Sequence, residues 1–204
     1  MAAHKTFLML GAPGCGKGTQ GKIIGQIPRF HFFSCGDAFR SLDTRSDLGK
    51  RFVDYSSQGD LVPDELTIEL WQTQIESRIA SNDFKPDIDF LLLDGIPRTV
   101  EQAKFMDPFV EVLGVFHLSC PNRDELARRI RKRALKENRI DDANEAVIQS
   151  RFQTYEDETK PILEHYADRR IDIDASQPPV KVLSDILGRV MKTDSWQEIS
   201  KEVI

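Results

Sequence analysis

The chain has 204 residues, 40% of them hydrophobic and 30% charged, with a net charge of −5. That balance fits one soluble globular domain with a real core, and its acidic sign argues against a dedicated nucleic-acid binder. No apolar run approaches the roughly 20 residues that a membrane helix needs.

In chain order, the start MAAHKTFLML lacks a signal-peptide layout. Its KTFLML (5–10) reads as a buried strand stopped by glycine. A helix is predicted from Lys17. Gly21 and Gly25 weaken it by about 1 kcal/mol each relative to alanine, so packing must hold it. FHFFS (30–34) is a second strand. GDAFRSL (36–42), SDLGKRFVDYSSQG (46–59) and PDELTIELWQTQIESRI (63–79) are predicted helices with polar starts and glycine punctuation. Pro63 and Asp64 open the last of these as helix starts favour. DFLLLDG (89–95), VLGVFHLSC (112–120) and RIDIDA (170–175) are further strands. NRDELARRIRKRALKEN (122–138), ANEAVIQSRFQTYEDETKPILEHY (143–166) and PPVKVLSDILGRVM (178–191) are predicted helical, and KTDSWQEISKEVI adds at most a short helix. Strands alternating with helices predict an α/β fold, a parallel sheet covered on both faces. The strand-free run 36–79 reads as an insertion on it. Cys15, Cys35 and Cys120 form neither a zinc pattern nor a disulfide framework, so a reducing, cytoplasmic setting is expected.

Chemistry concentrates in GAPGCGKGTQ (11–20), which holds four glycines. It nearly fits the phosphate-binding pattern G-x-x-x-x-G-K-[ST]. Gly11, Gly16 and Lys17 fit, but Gly18 stands where the hydroxyl belongs and Thr19 supplies it one position late. The predicted strand before and helix after are the context that the motif requires. Glycines let backbone N–H groups approach a phosphate, and the helix start adds unpaired N–H groups and partial positive charge. The dinucleotide fingerprint is excluded, because its third glycine would fall on Thr19. Asp94 closes the apolar run FLLL. It can face a magnesium ion through water, or simply accept turn hydrogen bonds. Read by itself, RRIRKRALKENR (128–139) is a solvated basic face, a nucleic-acid contact or part of a catalytic site.

SCGDAFR (34–40), GDLVPDELT (59–67), LLLDGIPRTVEQA (91–103) and NRIDDANEAVIQSRFQTY (138–155) follow the loop in that order. Together with it they closely resemble the adenylate kinase family of nucleoside monophosphate kinases, over about residues 5 to 191. The Lys-Gly-Thr ending is that family's form of the loop, so the late hydroxyl marks a subclass. The resemblance implies a reversible transfer in which magnesium-ATP and AMP give two ADP. It also implies a P-loop NTPase-type core with a five-stranded parallel sheet, from residues 1–34, 65–132 and 144–192. A helical monophosphate-binding flap over 35–64 and a short lid over 133–143 complete it, and 193–204 remain as a C-terminal extension. The resemblance assigns ATP contacts to Gly14, Cys15, Gly16, Lys17, Gly18 and Thr19, with Arg129 and Gln177 near the donor base. AMP contacts fall to Cys35, Arg40, Leu61, Val62, Gly95, Arg98 and Gln102. Lys17, Arg98, Arg133, Arg139 and Arg151 are the expected catalytic cations, and Asp94 the Mg2+ residue. Asp141 and Asp142 are expected hinge or clasp partners.

The acceptor phosphate, with a second pKa near 6, needs no general base. In keeping with that, none of His4, His31, His117 or His165 falls in a matched motif. Two polyanions must meet, which calls for guanidinium forks. Only eight residues separate Arg133 from Asp142, none of them cysteine, so no structural zinc is expected. Cys35 replaces the threonine usual in the family and favours no base. Two markers favour adenine: the resemblance implies it for Thr99, where similar pyrimidine kinases tend to carry asparagine, and the Gln102 amide offers the donor and acceptor that an adenine edge requires. AMP is the expected acceptor, with UMP or CMP as the alternative. A regulatory P-loop NTPase and an RNA-binding module are readings from other classes, the former without any guanine-reading N-K-x-D. A monomer acting on free nucleotides, with no nucleic-acid or membrane partner, is expected.

Overall fold

Five short apolar runs become strands, and runs buried on both faces can pair only in a sheet with helices on each side. The computed structural model describes residues 3–137 and 144–201. β1 (His4–Leu10), β2 (Phe30–Ser34), β3 (Phe90–Asp94), β4 (Val110–Ser119) and β5 (Arg170–Asp174) form one parallel sheet in the order β2-β3-β1-β4-β5. The chain order reverses at β1, and the crevice outside the carboxyl ends of the strands at such a switch point is where open α/β sheets bind ligands.

Side chains alternate across the sheet, as strand geometry dictates. Leu8, Leu10, Leu91 and Leu93 join one core. It is covered by α2 (Cys35–Arg40), α4 (Asp64–Ala80), α5 (Val100–Met106) and α8 (Ile162–His165). Phe7, Met9, Phe90, Leu92 and Phe116 join the other. Its cover is α1 (Lys17–Ile24), α6 (Arg123–Glu137), α7 (Glu145–Thr154), α9 (Pro179–Val190) and α10 (Asp194–Lys201). α3 (Asp47–Gln58) stands on α2, where Phe52 stacks on Phe39 with ring centroids 5.2 Å apart.

The predicted elements form, with two differences, and the C-terminal short helix is present. The single helix expected over 143–166 is broken. α7 gives way to a π turn, Tyr155–Thr159, before α8. Pro161 has no N–H and its ring crowds the carbonyl of residue 157, and the Lys160 N–H reaches Tyr155 O at 2.8 Å instead. Helix α5 was not expected, because seven residues carry little periodicity. Its signal was the Thr99-x-x-Gln102 capping pattern, with the Thr99 hydroxyl accepting from the Gln102 N–H at 3.1 Å. The C-terminal stretch is α10, whose Trp196 lies over Phe30 and Phe90 at centroid distances of 5.6 and 5.9 Å. Packing does hold α1: a Cβ on Gly21 would lie 2.1 Å from the Phe32 ring, so that helix approaches β2 only because the residue is glycine. Among the described residues, no helix is long and apolar enough to cross a membrane.

Candidate active site

The carboxyl ends of the strands open into one cleft of about 760 Å³. At its floor the chain leaves β1 through Gly11, Gly14 and Gly16, with φ of 146°, 83° and 105°. Two of these glycines are required by packing. A Cβ on Gly11 would sit 2.5 Å from Leu118 O, and one on Gly14 would sit 2.7 Å from Leu126 O. A Cβ on Gly16 would meet nothing within 4 Å, so the space above that residue is open cleft. α1 starts at Lys17 with no side-chain cap and no acid in its first turn. Its orphan N–H groups and positive helix end therefore face that space as an anion site. Lys17 Nζ folds back over the loop, donating to Gly11 O at 2.6 Å and Ala12 O at 3.3 Å.

Asp94, at the end of β3, is buried beside this loop. A Cβ on Gly18 would be 3.5 Å from its Oδ2. Burial pushes the Asp94 carboxyl above its ordinary range, although the charges of Lys17, Arg98 and Arg133 pull the other way. The chain then turns through Gly95 (φ 78°) and a cis Ile96–Pro97 bond to Arg98. Arg98 is half-buried and well anchored. Its Nε donates to Gly95 O at 3.1 Å, its N–H donates to Gln102 Oε1 at 2.8 Å, and its carbonyl accepts from Thr159 at 2.9 Å. Burial lowers the Arg98 pKa from the ordinary guanidinium range; Cys35 and Asp94 push it back up, and the charges of Arg151 and Arg40 add to the lowering. Three guanidinium groups thus crowd one space, an arrangement that an anion would relieve.

The opposite wall begins at α2, capped by Ser34, whose hydroxyl accepts from the Asp37 N–H at 3.3 Å. Burial lifts the Cys35 thiol to about 12, so it stays neutral near pH 7. Asp37 accepts from Arg40 at 2.7 Å and lies 3.3 Å from Lys22. Burial alone would raise that carboxyl, but the hydrogen bonds and charges of Arg40 and Lys22 outweigh it and hold it low. On the far side, Arg129 donates to Glu125 at 2.9 Å and to Ala175 O at 3.0 Å, which ties α6 to the loop after β5. In that loop Gln177 donates to Asp174 O at 3.1 Å and Asp185 at 3.2 Å. Hydrogen bonds from Arg128 and Arg129 bring Glu125 down to about 2.

The cleft is lined by Gly14, Cys15, Gly16, Lys17, Gly18, Thr19, Cys35, Arg40, Leu61, Val62, Asp94, Gly95, Arg98, Gln102, Arg129, Arg133, Arg151 and Gln177. These are the expected site residues with one exception: Arg139 lies outside the described residues, as do Asp141 and Asp142. The family model for adenylate kinase matches residues 9–171.

The chain belongs to the adenylate kinase family. It is 36% identical to the adenylate kinase of Corynebacterium diphtheriae over 91% of this chain and 99% of that protein. To the adenylate kinase of Corynebacterium urealyticum it is 34% identical over 83% of this chain and 90% of the relative. The adenylate kinase of Thermus thermophilus is 34% identical, over 84% and 88%.

Sequence reasoning missed several residues in or beside this adenylate kinase-family cleft. Lys132 and Lys136 line its rim from the exposed face of α6. Their signal was the spacing with Arg128 and Arg129, three and four residues apart on one helical face. Tyr155 also lines the cleft. Its hydroxyl lies 3.2 Å from His117 Nε2, and His117 Nδ1 lies 2.7 Å from Asp172. None of the four histidines lines the cleft among the described residues. Asp64, read only as a helix start, accepts from Thr99 at 2.8 Å and Gln102 at 2.7 Å. No local pattern signals that link, because 35 and 38 residues separate the partners.

Proposed function

We propose that this protein transfers a phosphoryl group reversibly from ATP to AMP, giving two ADP. One observation carries the reading: Lys17 on an open glycine cradle and the Arg98, Arg40 and Arg151 cluster face the same cleft. The donor's phosphates lie on the N–H groups of residues 14–19, with Lys17 on the outer ones. Arg129 and the loop carrying Gln177 flank the donor base. The acceptor phosphate is gripped by Arg40 and Arg98, and its base lies among Cys35, Leu61, Val62, Gly95 and Gln102. The acceptor oxygen is already ionised near pH 7, so no side chain need take a proton, and positioning with charge stabilisation does the work. Arg98, Arg133, Arg139 and Arg151 offset the charge that gathers on the transferring group.

The donor set suits Mg2+. Among the described residues no group of three or more His, Cys, Asp or Glu gathers to cage a metal. One buried carboxylate, Asp94, and the Thr19 hydroxyl adjoin the loop, and Mg2+ prefers one or two carboxylates with water and substrate phosphate. Asp94 would hold it through water, and the ion supplies charge neutralisation across the phosphates. Residues 35–64 act as a flap and 133–143 as a lid. Their closure excludes water, and so prevents transfer to it. Since a single chain supplies both walls of the cleft, we propose a cytoplasmic monomer without nucleic-acid or membrane partners.

The test is a coupled assay with magnesium, ATP and AMP, UMP, CMP or no acceptor, run beside Lys17→Met. Two ADP per ATP with AMP as the best acceptor is the expected result. ATP loss without any monophosphate, or faster turnover of UMP or CMP, would contradict it.

A further inference from the structure

The amide of Gln102 is pinned from both ends. Its Oε1 accepts the Arg98 N–H at 2.8 Å, and its Nε2 donates to Asp64 Oδ1 at 2.7 Å. A backbone N–H can only donate and an ionised carboxylate can only accept. Rotating the amide by half a turn would therefore set donor against donor and acceptor against acceptor. The other Asp64 oxygen accepts the Thr99 hydroxyl at 2.8 Å, so the carboxylate that orients the amide is itself held. Gln102 is 1% exposed, so a wrongly turned amide has no water to repair it and an unmet polar group there is costly. Asp64 is the first residue of the 17-residue helix α4, next to the proposed flap boundary.

We infer that Asp64 is a positioning residue for acceptor-base choice, locking Gln102 in the one orientation that matches adenine. The inference rests on AMP as acceptor and on Gln102 meeting its base. With one N–H and one carbonyl lone pair committed, the amide keeps one of each. Their order in space is fixed. Adenine sets an amino donor beside a ring-nitrogen acceptor. Hypoxanthine puts a carbonyl acceptor where adenine has the amine and a ring N–H beside it, the reverse order. A free amide turns to suit either base, whereas a locked one accepts adenine and leaves hypoxanthine with two mismatched contacts.

The measurement is kcat/KM for AMP and for inosine monophosphate, with ATP saturating, in the unaltered protein, Asp64→Ala and Asp64→Asn. In Asp64→Ala the preference for AMP falls about tenfold, the size of one charge-assisted hydrogen bond. It falls through KM for AMP, while KM for ATP and kcat stay within about twofold, a split that general loosening of the fold does not give. Asp64→Asn keeps a carbonyl for Gln102 Nε2 and recovers most of the preference. An unchanged preference in Asp64→Ala, or KM for ATP rising in step with KM for AMP, overturns the inference. If Asp64→Ala fails to fold, Thr99→Ala carries the test. It removes the second partner of the carboxylate and is expected to lower the same ratio by about threefold, and an unchanged ratio there overturns the inference equally. The two readings fail differently. Faster turnover of UMP or CMP than AMP by the unaltered protein removes both, while a strong AMP preference that survives Asp64→Ala removes this one alone.

Discussion

At the glycine loop the backbone itself is the proposed binding group, whereas along α6 the charge is carried by long side chains resting on carboxylates. Gly11 and Gly14 have carbonyls of Leu118 and Leu126 where a Cβ would go, so the loop cannot shift without the strands and helix around it. Arg128 and Arg129 share Glu125. Surface pairs of that kind contribute little to stability, and their cations can move onto a ligand at small cost. Under the proposed function, one side of the cleft would be built before substrate arrives and the other assembled around it. Preorganised donors give the larger share of charge stabilisation, because they need no rearrangement during the reaction.

The strongest way to break this contrast is Lys17→Met. Turnover is expected to fall by about 10²–10³-fold with little change in melting temperature, measured by the coupled assay and calorimetry. Retained turnover would mean that the loop is not the working cradle. Two neighbouring glycines sharpen the point. Gly16→Ala should cost about 1 kcal/mol of strain and lower turnover about 100-fold through misplaced phosphate. Gly14→Ala should cost about 3 kcal/mol, because strain and a backbone clash add. Urea unfolding beside kinetics separates the two, and equal stability losses would contradict the assigned geometry.

Asp94 tests whether the built side holds a carboxylate for function at the expense of the fold. Burial places its folded-state pKa above the unfolded value. The neutral form is therefore favoured in the fold, and the resulting destabilisation is present above the folded pKa and disappears as pH falls below the unfolded one. In metal-free buffer Asp94→Asn should melt higher than the unaltered protein at pH 7, lose that advantage in acid, and turn over more slowly. A lower melting temperature at pH 7 would refute this. The smallest effect is on the movable side. Arg128 is exposed and held only by Glu125 among its described partners, so Arg128→Ala should change turnover by less than about threefold and leave melting unchanged.

Features fixed by short-range chemistry were legible in the sequence. FHFFS became β2 at its predicted bounds, and the loop context of Gly11–Lys17 followed from a strand, glycines and a helix in succession. Features made by distant residues were not. Nothing near Gly21 announces Phe32, and nothing near Asp64 announces Thr99 and Gln102. Trp196 looked like part of a tail because its partners, Phe30 and Phe90, lie far back in the chain. The break at Pro161 could have been read, since proline disrupts helix interiors, but the periodicity on either side of it masked the interruption. For the site, the family resemblance pointed to cations that the fold then places along one cleft, Arg139 excepted because it lies outside the described residues. Their shared direction, and the carboxylates they rest on, came only with the fold.

The central claim is that a fixed anion cradle and an assembling guanidinium cluster bring two nucleotides together head to tail. A crystal structure with a bisubstrate analogue, two adenosines joined through a chain of phosphates, tests it most directly. The phosphate chain should run from the N–H groups of residues 14–19 and Lys17 to Arg40 and Arg98, with Arg133 and Arg151 on its central oxygens. Phosphates bound elsewhere, or those four guanidinium groups turned to solvent with the analogue in place, would contradict it.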